Sequence, residues 1–140
     1  MRSFFARCVW STFCGVALLF VALGGALGTA LRYAANLYFA ERFGPNLPYA
    51  TFVVNVIGSW ALGFCSQVFA AKTIWGVPFA LVVGTGVLGG FTTYSSFNLE
   101  TLRMLQQGEV ARAFAYASLT FVTCLALGAL GIMLGARFIR

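Results

Sequence analysis

The charged residues of this chain bound four long stretches that carry no charge: Cys8–Leu31, Phe43–Ala71, Thr73–Leu99 and Ala113–Ala136, of 24, 29, 27 and 24 residues. About 20 apolar residues rising 1.5 Å each cross the hydrocarbon core of a bilayer, so every run has room for one spanning helix. A water-soluble domain spreads charge over about a quarter of its residues. Here 9% are charged and 61% hydrophobic. The runs predict one all-α membrane domain over residues 1–140, with four transmembrane helices near 9–31, 49–71, 74–99 and 113–136.

That architecture removes most catalytic chemistry. The chain has no His and no Asp, and its three acids, Glu41, Glu100 and Glu109, lie outside the uncharged runs. A metal hydrolase, a Ser–His–Asp triad or a pair of carboxylates therefore lacks its reagents, and the reading is not an enzyme. The net charge of +6 comes from basic residues scattered singly. Such residues flank membrane spans, and nothing among them forms a nucleic-acid patch. Cys8, Cys14, Cys65 and Cys124 sit in or at the ends of apolar runs with no metal-clip spacing, as small buried hydrophobes do. Arg2 and Arg7 ahead of an apolar stretch resemble a signal peptide. The stretch runs on into Gly24-Gly25-Ala26-Leu27-Gly28, however, and is taken as the first span.

Span one is expected to exit at Arg32-Tyr33. A short amphipathic connector, Asn36 to Arg42, then leads to the turn Gly44-Pro45-Asn46-Leu47-Pro48. Pro78 is expected in the first turns of span three, where its missing N–H costs least. Short connections predict that successive helices are antiparallel neighbours. With four spans, one side of the membrane carries Arg2, Arg7, Lys72, Arg137 and Arg140, and the other Arg32, Arg42, Arg103 and Arg112. Five against four is too even to set an orientation. Insertion both ways up, with pairing of inverted copies, and a single orientation set by other means both remain open. The pairs Gly24/Gly28, Gly86/Gly90 and Gly131/Gly135 have the spacing that lets helix backbones approach closely in lipid.

The stretch Gly89-Gly90-Phe91-Thr92-Thr93-Tyr94-Ser95-Ser96-Phe97-Asn98 makes a poor lipid-facing helix. Irregular backbone survives at membrane depth only where protein or water satisfies it. A broken helix there exposes carbonyls at one end and amides at the other, an ion site. The plainer alternative is a Ser/Thr-rich helix end bonding back to its own carbonyls. Thr51, Asn55 and Ser59 share one face of span two, and Tyr116, Thr120, Thr123 and Cys124 form a similar stripe on span four. In lipid such stripes face protein or a pore. Asn55 serves equally well as a pore amide or as interhelical glue. With no acid inside the runs, passive conduction is favoured over proton-coupled transport.

In these residues the chain resembles the Fluc/CrcB family of fluoride channels. The matching segments are GGALGTALRY (Gly24–Tyr33), TFVVNVIGS (Thr51–Ser59), GTGVLGGFTTYSSFNLET (Gly84–Thr101) and the stripe from Tyr116. The first 20 or so residues go beyond what the family usually has. The resemblance implies an antiparallel, dual-topology homodimer with a break in the third helix and two fluoride pores at the subunit interface. It implies a place in the cell's inner (plasma) membrane, with fluoride, lipid and a second copy of the chain as partners. A central structural Na+ would be held by the backbone carbonyls of Gly89 and Thr92. The pore would be lined by Asn55, Tyr94, Ser95, Ser96, Phe97, Tyr116, Thr120 and Cys124, with Arg32 in a vestibule.

The physics of that assignment is coherent. A ring edge is weakly positive, so it can face a small anion without a full countercharge. Hydroxyls and an amide partly replace the ion's hydration, and binding stays weak enough for release. Two positions depart from the family pattern: Tyr94 stands where Phe is more usual, and Cys124 where a hydroxyl is common. Two other classes share the four-span outline. A small multidrug-resistance-type exporter needs an embedded Glu in span one, and Val9–Leu31 has none. A helical assembly factor would keep its third helix continuous.

Overall fold

A computed structural model describes the backbone of residues 2–44 and 48–139 and the side chains of residues 15–44 and 48–139. Pro45, Asn46 and Leu47 of the expected turn, and the side chains of Cys8 and Cys14, fall outside them. The order of elements is α1 (Arg2–Phe43), α2 (Tyr49–Val68), β1 (Thr73–Ile74), β2 (Val77–Pro78), a π-helix (Leu81–Leu88), α3 (Gly89–Phe91), α4 (Tyr94–Gln106) and α5 (Val110–Phe138). Among the described residues three helices are long and apolar enough to cross a membrane: Gly15–Phe43 of α1, α2 and α5, with mean hydropathies of 1.7, 1.3 and 2.1. The third uncharged run is absent from that set because its helix is broken.

α1 overturns the expected exit at Arg32. Its 42 residues are one helix, about 63 Å long at 1.5 Å per residue, and Asn36–Arg42 is its last two turns. From Thr29 to Phe43 the sequence holds neither Gly nor Pro and is rich in Ala, Leu and aromatic residues, so nothing stops the helix where the polar residues begin. It ends at Gly44, which takes φ +84° and donates its N–H to the Ala40 carbonyl at 3.0 Å. Only glycine adopts that left-handed capping conformation without strain.

The start of the third run differs as well. Pro78 is not in a helix but ends a two-stranded antiparallel hairpin with Thr73 opposite Pro78 and Ile74 opposite Val77. Trp75 and Gly76 form its turn, both with positive φ (48° and 80°). The chain becomes helical at Phe79, is wound as a π-helix through Leu88, and stops after Phe91. Thr92 and Thr93 are extended, and α4 then begins. The expected break is therefore present, flanked by two short helical pieces rather than lying within one 26-residue span.

Packing joins elements that are not consecutive. α2 lies mainly against α5, and α1 mainly against the π-helix and α3, while the contact of α1 with α2 is lighter than chain order suggests. Glycines make both approaches possible. Gly24 and Gly86 face each other's backbone, Gly90 faces the Gly25 carbonyl, and Gly131 and Gly135 abut the carbonyls of Trp60 and Phe64. All three paired glycine spacings thus sit at helix contacts. A β-carbon at Gly131 would overlap the Trp60 carbonyl.

The α4–α5 corner is closed by local bonding: Gly108 N–H to Leu105 O at 3.0 Å and Glu109 N–H to Met104 O at 2.9 Å, with Gly108 at φ +78°. These paired bonds satisfy the last carbonyls of α4. Beneath the corner Met104, Ala113 and Tyr116 form a small buried cluster with Phe52 and Phe97 against it.

Gly131→Leu is expected to force α2 and α5 apart. Overpacking of this kind costs about 1–3 kcal/mol, read as a lower midpoint in thermal unfolding of the detergent-solubilised protein. Gly15→Leu, at a position where none of the described residues comes within 4 Å of an added β-carbon, leaves the midpoint in place. Equal midpoints for the two variants would show that the α2–α5 contact does not require glycine.

Candidate functional site

The helix break is held from outside by a single side chain. Asn55, on α2, donates from Nδ2 to the Thr93 carbonyl at 3.0 Å and accepts from the Thr93 N–H at 2.7 Å. A carboxamide has the donor and acceptor of a peptide group, so the pair reads like one rung of a β-ladder. In a continuous α-helix that Thr93 N–H would go to the Gly89 carbonyl; here Asn55 takes it, and the Gly89 carbonyl is freed from that bond. Thr92, with ψ at 159°, turns its own carbonyl out of the helical direction.

The hydroxyls around the break bond to the two helical pieces beside it, as the plainer reading of the sequence has it. Thr92 bonds back to its own helix, Oγ1 to Leu88 O at 2.9 Å, where the Thr92 N–H also points. Thr93 caps α4: its Oγ1 accepts from the Ser96 N–H at 3.2 Å, donates to Ser96 Oγ at 3.0 Å and lies 3.3 Å from Ser95 Oγ. Such a cap satisfies one of the free amides of the first turn. Ser95 and Ser96 are thus brought into the cap.

A groove of about 430 Å³ opens beside the break. Asn55, Gly58 and Ser59 of α2 form one wall, Thr92, Thr93, Tyr94 and Phe97 the second, and Thr120, Phe121 and Cys124 of α5 the third. Gly58 is required here, since a β-carbon would collide with the Thr92 methyl. Tyr94 is 77% exposed, and its ring lies 5.7 Å from that of Phe97, which lies 5.3 Å from the ring of Tyr116. Thr120 is only 5% exposed, and its hydroxyl has no hydrogen-bond partner. An unpartnered buried hydroxyl costs about 1–3 kcal/mol, and the oxygen of this one is shielded from the open space of the groove.

Of the residues predicted for a site, the structure brings Asn55, Thr92, Tyr94, Phe97, Thr120 and Cys124 to this one groove. Ser95 and Ser96 stand beside it in the cap, and Tyr116 behind Phe97. Gly89 is one turn before the break. Arg32 is half-buried on α1, one turn beyond Gly28, whose backbone meets Phe91.

Sequence reasoning missed Glu100. Its position at the edge of a charged segment suggested an acid outside the bundle, but Oε1 accepts from Thr51 Oγ1 at 2.6 Å and Oε2 from Tyr116 OH at 2.7 Å. The carboxylate is half-buried and ties α2, α4 and α5 together. The expectation that no acid lies within the bundle is therefore corrected. The signal was present in the helical spacing: Glu100 lies three residues past Phe97 and four past Ser96, on the face of α4 that carries them.

A helical chain with several segments long and apolar enough to cross a membrane, and a groove at a helix break, is a multi-pass membrane protein with a candidate binding groove. The chain belongs to the CrcB family: residues 19–132 match the family described as "CrcB-like protein, Camphor Resistance (CrcB)". Among curated relatives it is 43% identical to "Fluoride-specific ion channel FluC" of Sorangium cellulosum (strain So ce56), over 85% of this chain and 94% of that one. It is 41% identical to the protein of the same name from Acidobacterium capsulatum, over 84% and 90%, and 44% identical to that of Anaeromyxobacter sp. (strain K), over 77% and 86%. These relatives carry the names of ion channels and not of enzymes. The family match begins at residue 19, so the preceding residues are additional to it.

Asn55→Leu removes both bonds to Thr93. The Thr93 amide is expected to lose its protection in hydrogen exchange, and the protein about 2 kcal/mol of stability. Undiminished protection at Thr93 would show that Asn55 does not hold the break.

Proposed function

We propose that the chain is a passive, fluoride-selective channel that lets cytoplasmic fluoride out across the inner membrane. The observation that carries the reading is the groove beside the broken helix, which brings the carboxamide of Asn55, the rings of Tyr94 and Phe97 and the α5 residues Thr120 and Cys124 together. These groups offer a small anion weak positive potential and hydrogen-bond donors, with no cation among the groove's side chains to trap it. The channel names of relatives more than 40% identical over most of their length support the same conclusion.

In this reading two copies associate antiparallel, each inserted the opposite way up, and two pores run along their interface. The nearly even distribution of basic residues permits both insertions. A Na+ ion at the dimer centre would be held by the Gly89 and Thr92 carbonyls of each copy. The donor set fits such an ion: hard carbonyl oxygens, freed at a helix break, suit a hard alkali cation. When bound, the ion supplies fixed positive field and ties the two breaks together. Arg32 would lie in the vestibule, where its charge attracts anions without standing in the path.

Glu100 favours a second reading, a proton-coupled exporter, because a half-buried acid is what such a carrier uses. The two differ in charge movement. A channel passing bare fluoride out of potassium-loaded liposomes stalls unless valinomycin lets potassium follow, and needs no pH gradient. A proton-coupled carrier responds to the pH gradient itself.

The decisive assay is efflux of fluoride and of chloride from liposomes containing the purified protein. The expected result is valinomycin-dependent fluoride efflux at equal pH with no comparable chloride efflux; no efflux, or equal chloride efflux, would sink the channel reading. Asn55→Asp places an anion in the groove and Phe97→Ile removes a ring edge. Each is expected to lower fluoride flux by about tenfold or more, with the oligomer intact by size-exclusion chromatography. Wild-type flux in both would remove these residues from the pore.

A further inference from the structure

The hairpin between α2 and the π-helix carries a bulky residue where its turn has no use for one. Trp75 and Gly76 are the central pair of a two-residue turn, with φ of 48° and 80°. A turn of this hand needs positive φ at both positions, which Asn-Gly supplies at little cost. A tryptophan there is a steric outlier, because its β-carbon crowds the backbone. The fold nevertheless holds it. Val77 is 1% exposed, the Phe79 N–H donates to the Lys72 carbonyl at 2.8 Å, and the Phe69 and Phe79 rings meet edge to face at 4.7 Å. The indole itself gains little from the chain: it lies 5.5 Å from the Phe20 ring and stays 81% exposed. Burial inside the protein therefore does not account for a tryptophan at the tip.

The hairpin stands at the membrane boundary. It begins five residues after α2 ends, and the 20 residues of α2 make a helix about 30 Å long, the thickness of the hydrocarbon core. α5 ends beside it: Gly135 abuts the Phe64 carbonyl and Gln67, and the Phe138 ring lies 5.9 Å from that of Phe64. Two exposed cations mark this end, Arg137 in the last turn of α5 and Lys72, whose ammonium lies 5.3 Å from the centre of the Phe69 ring. The chain's three acids are all at the opposite end. Glu41 is beside Phe43, whose ring meets Tyr49 at the start of α2; Glu100 is bonded to Thr51, and Glu109 is at the α4–α5 corner. We propose that the hairpin end is a docking site for acidic phospholipid, with Trp75 seated at the boundary of headgroup and acyl chain and Lys72 and Arg137 supplying the positive charge. An indole is apolar over most of its surface with one N–H donor, which suits that boundary and its ester and phosphate oxygens. Cations with no acid at their level favour an anionic headgroup over a zwitterionic one. Lipid also gives the indole the burial that the chain does not. The site stands independently of the channel reading.

The test uses the full-length protein carrying W10F/W60F, which leaves Trp75 as its one tryptophan, in phosphatidylcholine vesicles. Brominated acyl chains quench an indole on contact, and quencher in both leaflets makes the signal independent of insertion orientation. Bromine near the headgroup end of the chain is expected to quench Trp75 more than bromine near the methyl end. At equal small mole fractions, brominated phosphatidylglycerol is expected to show about fivefold enrichment at Trp75 over brominated phosphatidylcholine, the preference conferred by one cation near an acidic surface. K72Q/R137Q is expected to lose that preference and keep the depth profile, and added salt is expected to weaken it. If W10F/W60F does not elute as the wild type does, the difference between wild type and W75F reports the Trp75 share of the same quenching. An indole that no brominated lipid quenches lies in water or against a second copy, which would overturn the site. Stronger quenching from the methyl end would overturn its placement at the boundary. Equal quenching by the two headgroups would overturn the acidic-lipid selectivity, and an unchanged preference in K72Q/R137Q would overturn the role of the two cations.

Discussion

Most of the site's geometry depends on the two hydrogen bonds between Asn55 and Thr93. An extended pair of residues inside an apolar run leaves backbone groups that lipid cannot satisfy. One carboxamide from a neighbouring helix meets both needs of Thr93 at once, and this makes the break a stable element of the fold. With Thr93 held, its hydroxyl is in place to cap α4, α4 starts in a fixed direction, and Tyr94 and Phe97 emerge beside α5. The same bonds withdraw the Thr93 amide from Gly89, which gives the preceding helix its free carbonyl. Opposite ends of one break thereby acquire opposite character, acceptors behind and donors ahead.

That arrangement works only because the helices come very close. Gly58 leaves room for the Thr92 methyl, and Gly131 and Gly135 let α5 lie on the carbonyls of α2. Between lipid-immersed helices there is no hydrophobic driving force, so van der Waals contact and shared hydrogen bonds do the holding. The glycines supply the first, and the Thr51–Glu100–Tyr116 cluster supplies the second. The groove is what remains where α2, α4 and α5 meet around these fixed points.

Much of this was legible from residue spacing. The uncharged runs located the helices, the density of Gly, Thr and Ser in Gly89–Asn98 located the break, and the stripe Thr51/Asn55/Ser59 located the face of α2 that meets it. What failed did so for physical reasons. Helix α1 outruns its apolar stretch because helix propensity does not stop at the membrane edge, and Asn36–Arg42 has no breaker. Pro78 fits the first turn of a helix and the end of a short strand equally well, and the Trp75–Gly76 turn decided for the strand. Glu100 was misplaced because a charge at the end of a run looks solvated. Only the tertiary fold brings Thr51 and Tyr116 within hydrogen-bonding distance of it.

Glu100 also bears on which hydroxyls a guest in the groove can meet. A hydroxyl has one proton to donate, and Thr51 and Tyr116 give theirs to the two carboxylate oxygens. Thr93 gives its proton to Ser96, so the contact between Thr93 and Ser95 requires Ser95 to be its donor. Thr92 spends its proton on Leu88. Of the many hydroxyls around the break, those committed to the fold turn only lone pairs outward, which an anion avoids. Thr120 keeps its proton unspent but buried, Ser96 accepts from Thr93 and keeps its own, and Asn55 keeps its second N–H. The acid's structural effect therefore has the same sense as its charge: by holding Tyr116 and Thr51 as donors to itself, it leaves only their lone pairs for a guest. The uncommitted donors beside the break are then the second N–H of Asn55 on α2 and the hydroxyls of Ser96 and Tyr94 on α4.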